Sequence, residues 1–172
     1  MPPAKPALAA LLCGLTTLSG CAMTTPGTAV HTGPAGDLFI SCTIPDDALL
    51  AAGLDPATER VGFFGEHFTH AKLCRWDGPW YSISIFAMTD TIEQIISDPS
   101  YTGIRDITVA DRDAVLFRDV YDPRDAFCLL GYTTRGGTIL FSGIESSTVD
   151  DGGDICTATT DVARALDHVI PR

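Results

Sequence analysis

Lys72-Leu73-Cys74-Arg75-Trp76-Asp77-Gly78-Pro79-Trp80-Tyr81-Ser82-Ile83-Ser84-Ile85-Phe86-Ala87-Met88 reads as two strands joined by a turn. The second half places Tyr81, Ile83, Ile85 and Ala87 at period two, the signature of a strand with one buried face. Asp77-Gly78-Pro79 supplies the turn, because glycine and proline interrupt regular structure there. Lys72 to Trp76 is therefore the expected hairpin partner, and it carries Cys74.

Working outward, Thr43-Ile44-Pro45-Asp46 announces a short helix running through Leu49, Leu50 and Ala52 to Gly53. Asp55-Pro56 reads as a break, and Arg60 to Phe64 as a strand. After the hairpin, Asp90-Thr91-Ile92-Glu93 reads as a capping box. It opens a helical stripe of Ile92, Ile95 and Ile96 that ends before Pro99. Short strands are expected at Ile107–Ala110, Ala114–Phe117, Ala126–Thr133 and Thr138–Ile144, with Asp111-Arg112-Asp113 and Arg135-Gly136-Gly137 as turns. A final helix begins at the cap Asp154, returns Ile155, Val162, Leu166 and Val169 to one face, and stops at Pro171. Helix, three strands, helix, four strands, helix predicts an α+β domain, a mainly antiparallel sheet with helices packed on it. A ligand site is expected where a sheet face stays partly open, or in a groove between sheet and helices.

The N-terminus is of another kind. Ala7 to Leu15 is an apolar run of signal h-region length, too short to be a good membrane span. It closes on Leu18-Ser19-Gly20-Cys21, which resembles the lipobox of bacterial lipoprotein precursors. That resemblance implies cleavage before Cys21, a diacylglyceryl thioether on Cys21, and at least two acyl chains of the palmitate kind. Two chains hold a protein at a membrane firmly, whereas one does so reversibly. Residues 1–20 are then a signal peptide, residues 21–36 a lipidated cysteine and a Thr-, Gly- and Pro-rich tether, and residues 37–172 one globular domain. As a coil the tether spans on the order of 20 Å. The expected location is the extracytoplasmic face of the cell membrane.

Charge narrows the partners. The 172 residues carry a net charge of −11, and removal of residues 1–20, with Lys5, makes it −12. Such a field disfavours nucleic acid and anionic headgroups. Four cysteines remain beyond Cys21: Cys42, Cys74, Cys128 and Cys156. An even number in an exported protein reads as disulfides, and four permit three connectivities. Cys42–Cys74 with Cys128–Cys156 is favoured, because each pair joins neighbouring supersecondary units.

Taken together, Ser41-Cys42, the helix from Asp46 to Gly53, Cys74-Arg75-Trp76, Arg112-Asp113-Ala114, Cys128, Cys156 and the terminal Ile170-Pro171 resemble a family of actinobacterial lipoproteins defined as a domain of unknown function. The resemblance covers about residues 38–172. It implies an envelope location and disulfides, and brings no catalytic residue.

Chemistry-bearing residues are few. His67 and His70 lie behind Glu66, but i,i+3 imidazoles converge on a helix and not on a strand or loop, so two solvent-facing histidines are the expectation. Asp150-Asp151-Gly152-Gly153-Asp154 is oxygen-rich but lacks the spacing of an EF-hand loop, and Asp154 is expected as a helix cap. Ser142-Gly143 lacks the G-x-S-x-G frame of a nucleophile elbow, and His168 near a helix C-terminus has a dipole role open to it. Trp76 is expected to pack beside a Cys42–Cys74 bridge, while Trp80 is open between covering an edge of the core and meeting a sugar or a membrane interface. No cofactor or metal motif is present. The expectation is a non-catalytic, membrane-anchored module binding a lipid, a small ligand or an envelope protein. The alternative is a cell-envelope hydrolase using Ser142, His168 or the 66–70 cluster.

Overall fold

A computed structural model describes residues 38–62, 70–146 and 152–172. The lipobox, the tether, Glu66, His67, Asp150 and Asp151 lie outside the described residues. The elements are α1 (Asp46–Ala51), β1 (Asp55–Val61), β2 (Ala71–Asp77), β3 (Tyr81–Met88), α2 (Ile92–Ile96), β4 (Tyr101–Val109), β5 (Arg112–Asp119), β6 (Phe127–Thr134), β7 (Gly137–Glu145) and α3 (Ile155–Leu166). The seven strands form a single sheet in the order β1-β2-β3-β7-β6-β5-β4. Every pairing is antiparallel.

The hairpin read from Lys72 to Met88 is β2 and β3, with Cys74 opposite Ile85 and Trp76 opposite Ile83. Several boundaries differ from the sequence reading. Asp55-Pro56 starts β1 instead of breaking the backbone's regular structure. A strand tolerates proline at a sheet edge, where its missing N–H costs no ladder bond, and β1 is an edge. β4 begins at Tyr101, six residues before the expected Ile107, because a register shift between Thr102 and Arg105 interrupts its alternation. Arg112 and Asp113 belong to β5, so the turn before them is Ala110-Asp111, with Ala110 at φ 52°. The capping box of α2 is one residue later than read: Thr91 accepts from the Gln94 N–H, and Gln94 accepts from the Thr91 N–H. α3 ends at Leu166, before Pro171.

Two buried clusters share the sheet. Leu49 of α1 and Ile155, Val162 and Leu166 of α3 belong to one, together with Trp76, Ile83, Ile85, Leu130 and Phe141. Ile92 and Ile95 of α2 belong to the other, together with Phe117, Leu129 and Leu140. Neighbouring strand residues thus alternate between clusters, as strand geometry requires. Gly143 shows how close the first contact is: a Cβ there would lie 2.0 Å from the Thr159 hydroxyl of α3. Gly137 is required for a different reason. It turns the β6–β7 hairpin at φ 130°, and a Cβ would fall 2.1 Å from the Met88 carbonyl. Leu38, the first described residue, lies against this same hairpin. The polypeptide therefore joins the domain at the Met88 end of β3.

Cys42 pairs with Cys74 and Cys128 with Cys156, with Cα–Cα separations of 5.3 and 5.2 Å. Trp76 and Cys74 are fully buried in one cluster, with Cys42 against it. The C-terminus is held by Arg112. Its Nε donates to the Asp167 carboxylate, Nη1 to the Pro171 carbonyl (2.6 Å) and Nη2 to the Ile170 carbonyl (2.8 Å). The guanidinium lies 4.8 Å from the Tyr132 ring centroid, in cation–π range. Burial pushes the Tyr132 hydroxyl well above its ordinary value.

Candidate functional site

Asp77, Ser82, Ile144 and Phe127 stand in one row across four strands: Asp77 opposite Ser82, Ser82 opposite Ile144, and Ile144 opposite Phe127. Gly143 faces α3, so Ile144 points to the other side of the sheet. There an open groove of about 810 Å³ runs over the row, at the Tyr81 end of β3.

The two halves of the groove differ chemically. Over β1 to β3 the lining is ionic. Arg60 Nη2 lies 3.1 Å from Asp77 Oδ2, Arg75 Nη2 donates to Ser82 Oγ (2.7 Å), and Ser82 Oγ donates to Asp77 Oδ1 (2.7 Å). Arg75 Nε is 3.7 Å from Asp77 Oδ1 and, although buried, makes no hydrogen bond. One carboxylate thus faces two guanidiniums.

Over β6 and β7 the lining turns apolar, with Phe127 half-buried and Ile144 exposed. The wall is the 120–126 loop, where Tyr121 is 81% exposed beside an exposed Val120. The loop itself is tightly tied. Asp119 Oδ1 accepts the Tyr121 N–H (2.7 Å), Asp122 Oδ2 accepts the Phe127 N–H (2.7 Å), and Arg118 Nη1 donates to the Asp125 carbonyl (2.8 Å). Such side-chain-to-backbone bonds replace ladder bonds in turns. A large aromatic is therefore held out into solvent by an ordered frame, and ordering it on binding costs little further entropy.

The residues singled out from sequence do not converge here. Ser142 lies between Ser84 and Leu129 on the groove side of the sheet, a strand position away from the α3-facing Gly143. His168 follows α3 on the opposite side, with Nδ1 2.9 Å from the Ala165 carbonyl. The two form no dyad. His70 is exposed, and among the described residues no three metal-ligating side chains cluster. Asp154 is the N-cap of α3, accepting the Thr157 N–H at 2.6 Å, and this bond holds its carboxyl below the usual carboxylate range. Trp80 is half-buried, edge-on to Tyr81 with centroids 5.0 Å apart, and its ring lies under Gly152. Sequence reasoning missed Arg60, Arg75 and Tyr121. The available signal was Val120-Tyr121, an apolar–aromatic pair set among the turn-forming Asp119, Asp122 and Pro123.

The family described as "protein of unknown function (DUF3558)" matches residues 16–168. The protein belongs to this DUF3558 family. Neither a curated protein nor a solved structure matches it.

Proposed function

We propose that this is an actinobacterial envelope lipoprotein. Cys21 carries the lipid, residues 22–36 are the tether, and the domain stands at the extracytoplasmic face of the cell membrane. Its helices cover the sheet, α1 and α3 on one side and α2 on the other. The domain is a non-catalytic module that binds a small ligand or an envelope protein in the groove. The observation that carries this reading is the groove itself, with Tyr121 exposed on a tied loop above a half-ionic floor. Binding surfaces favour tyrosine and arginine in this way. An open, half-polar groove suits a long acyl group poorly, so lipid carriage is the weaker form of the proposal.

Position adds support. The tether joins the domain at the Met88 end of β3, and the groove lies at the Tyr81 end, about 25 Å away at 3.3 Å per residue. A tether anchored at that end leaves the groove free to face away from the bilayer.

The test is made on the full-length protein in an exporting bacterial host. Wild type is expected to stay with membranes through a salt wash and to leave with detergent, while Cys21→Ser is released without detergent. Wild type that washes off with salt removes the anchor. Ester or peptide turnover that vanishes in Ser142→Ala removes the non-catalytic half.

A further inference from the structure

We infer that the groove takes a carboxylate carried beside an apolar group, the carboxylate meeting Arg75 and Arg60 and the apolar group resting on Tyr121, Phe127 and Ile144. This deepens the binding-module reading and rests on it.

The charge balance of the ionic half decides the sign. Arg60, Arg75 and Asp77 leave one positive charge unmatched, and the buried Nε of Arg75 lacks an acceptor. Buried donors without partners are uncommon in native proteins, and the guanidinium that carries this one lies at the groove, with the rest of the side chain open to it. A guanidinium pairs with a carboxylate through two parallel bonds, which supplies orientation as well as attraction. The side chains of Arg60 and Arg75 are 57% and 39% exposed, so a ligand reaches both.

The rest of the lining favours a monoanion. Asp119 and Asp122 are turned to backbone N–H groups of the loop, while Arg124 and Glu145 add one charge of each sign to the rim. A doubly charged phosphate would place surplus negative charge beside these acids. A single carboxylate closes an alternating arrangement of two guanidiniums and two carboxylates. The apolar half begins within the same row, since Ser82 is opposite Ile144. Carboxylate and apolar group must therefore be near neighbours on the ligand. Both a polypeptide C-terminus ending in an apolar residue and a small aryl or alkyl carboxylic acid carry that chemistry.

Calorimetry on the full-length protein in detergent micelles separates the sources. The probes are a hexapeptide ending in leucine with a free carboxylate, its C-terminally amidated twin, and 3-phenylpropionate. The free-acid peptide is expected to bind at least about tenfold tighter than the amide. Arg75→Gln, checked for an unchanged melting temperature, is expected to abolish that preference, and Tyr121→Ala to weaken acid and amide alike. Phenylpropionate binding as tightly as the peptide identifies a small acid; binding of the peptide alone identifies a polypeptide terminus. Equal binding of acid and amide, displacement of the acid by equimolar inorganic phosphate, or no binding of any probe overturns the inference. The membrane wash above is read on the same preparation. A protein that stays anchored but shows no carboxylate preference removes this inference and leaves the broader reading standing.

Discussion

Arg112 shows how much a single residue holds in place. It is 8% exposed and satisfies the Asp167 carboxylate and the carbonyls of Ile170 and Pro171 together. Removing one partner of a buried ion pair costs about 3–5 kcal/mol when the other is left unpaired, whereas replacing both by apolar residues is often neutral. Asp167 keeps a second partner, Arg172, at 3.0 Å, so Arg112→Leu is expected to lose no more than about 3–5 kcal/mol in denaturant unfolding, and Arg112→Leu with Asp167→Leu to recover part of it. Recovery of nothing would mean that the backbone carbonyls are the principal partners. The sequence makes Arg112 look like a turn residue, because it stands between two aspartates, and nothing local reveals partners 55 to 59 positions away. Tyr121 is hidden for a similar reason. Its neighbours spell a turn, and only the placement of β6 and β7 beside that turn gives the ring something to face.

Elements were legible in proportion to their burial contrast. β3 is flanked on both sides by strands, and Ile83, Ile85 and Ala87 alternate into the core, so its period is plain. β1 and β4 are the edges, mostly exposed and interrupted by register shifts, and their period is lost. The cap of α3 was readable because an aspartate before an apolar stripe has few other uses. Asp154→Ala is expected to cost about 1 kcal/mol at neutral pH. The carboxyl sits below its ordinary value near 4, so the charged cap stabilises the fold above that value and its contribution fades as pH falls through the lowered native one. The stability gap between wild type and Asp154→Ala should thus shrink below about pH 4, while Asp154→Asn keeps a pH-independent cap. A gap that persists unchanged at about pH 2 would place the effect elsewhere.

At the scale of the whole molecule, the α+β class and the strand count were available from the sequence, but the strand order was not. The sheet is joined in the middle by β3 and β7, which are separated by α2 and three further strands, and no short-range pattern encodes that pairing. The crosslinks hold the two halves of this sheet separately, through sequence separations of 32 and 28. Each contributes about 3–4 kcal/mol in the chain-entropy account. Replacing Cys128 and Cys156 with alanine is expected to lower the melting temperature by roughly 10–15 °C. A change of a degree or two would mean that the unfolded protein is already restrained at this point. The two covalent loops also follow one another along the sequence without interleaving. A polypeptide exported N-terminus first, as the proposed lipoprotein would be with Cys21 held in its thioether, joins Cys42 to Cys74 before Cys128 emerges, and Cys128 then finds only Cys156 free. Pairing these four cysteines in their order of appearance yields the bonds of the fold, so on that proposal the protein has no built-in need for a catalyst that reshuffles wrong ones.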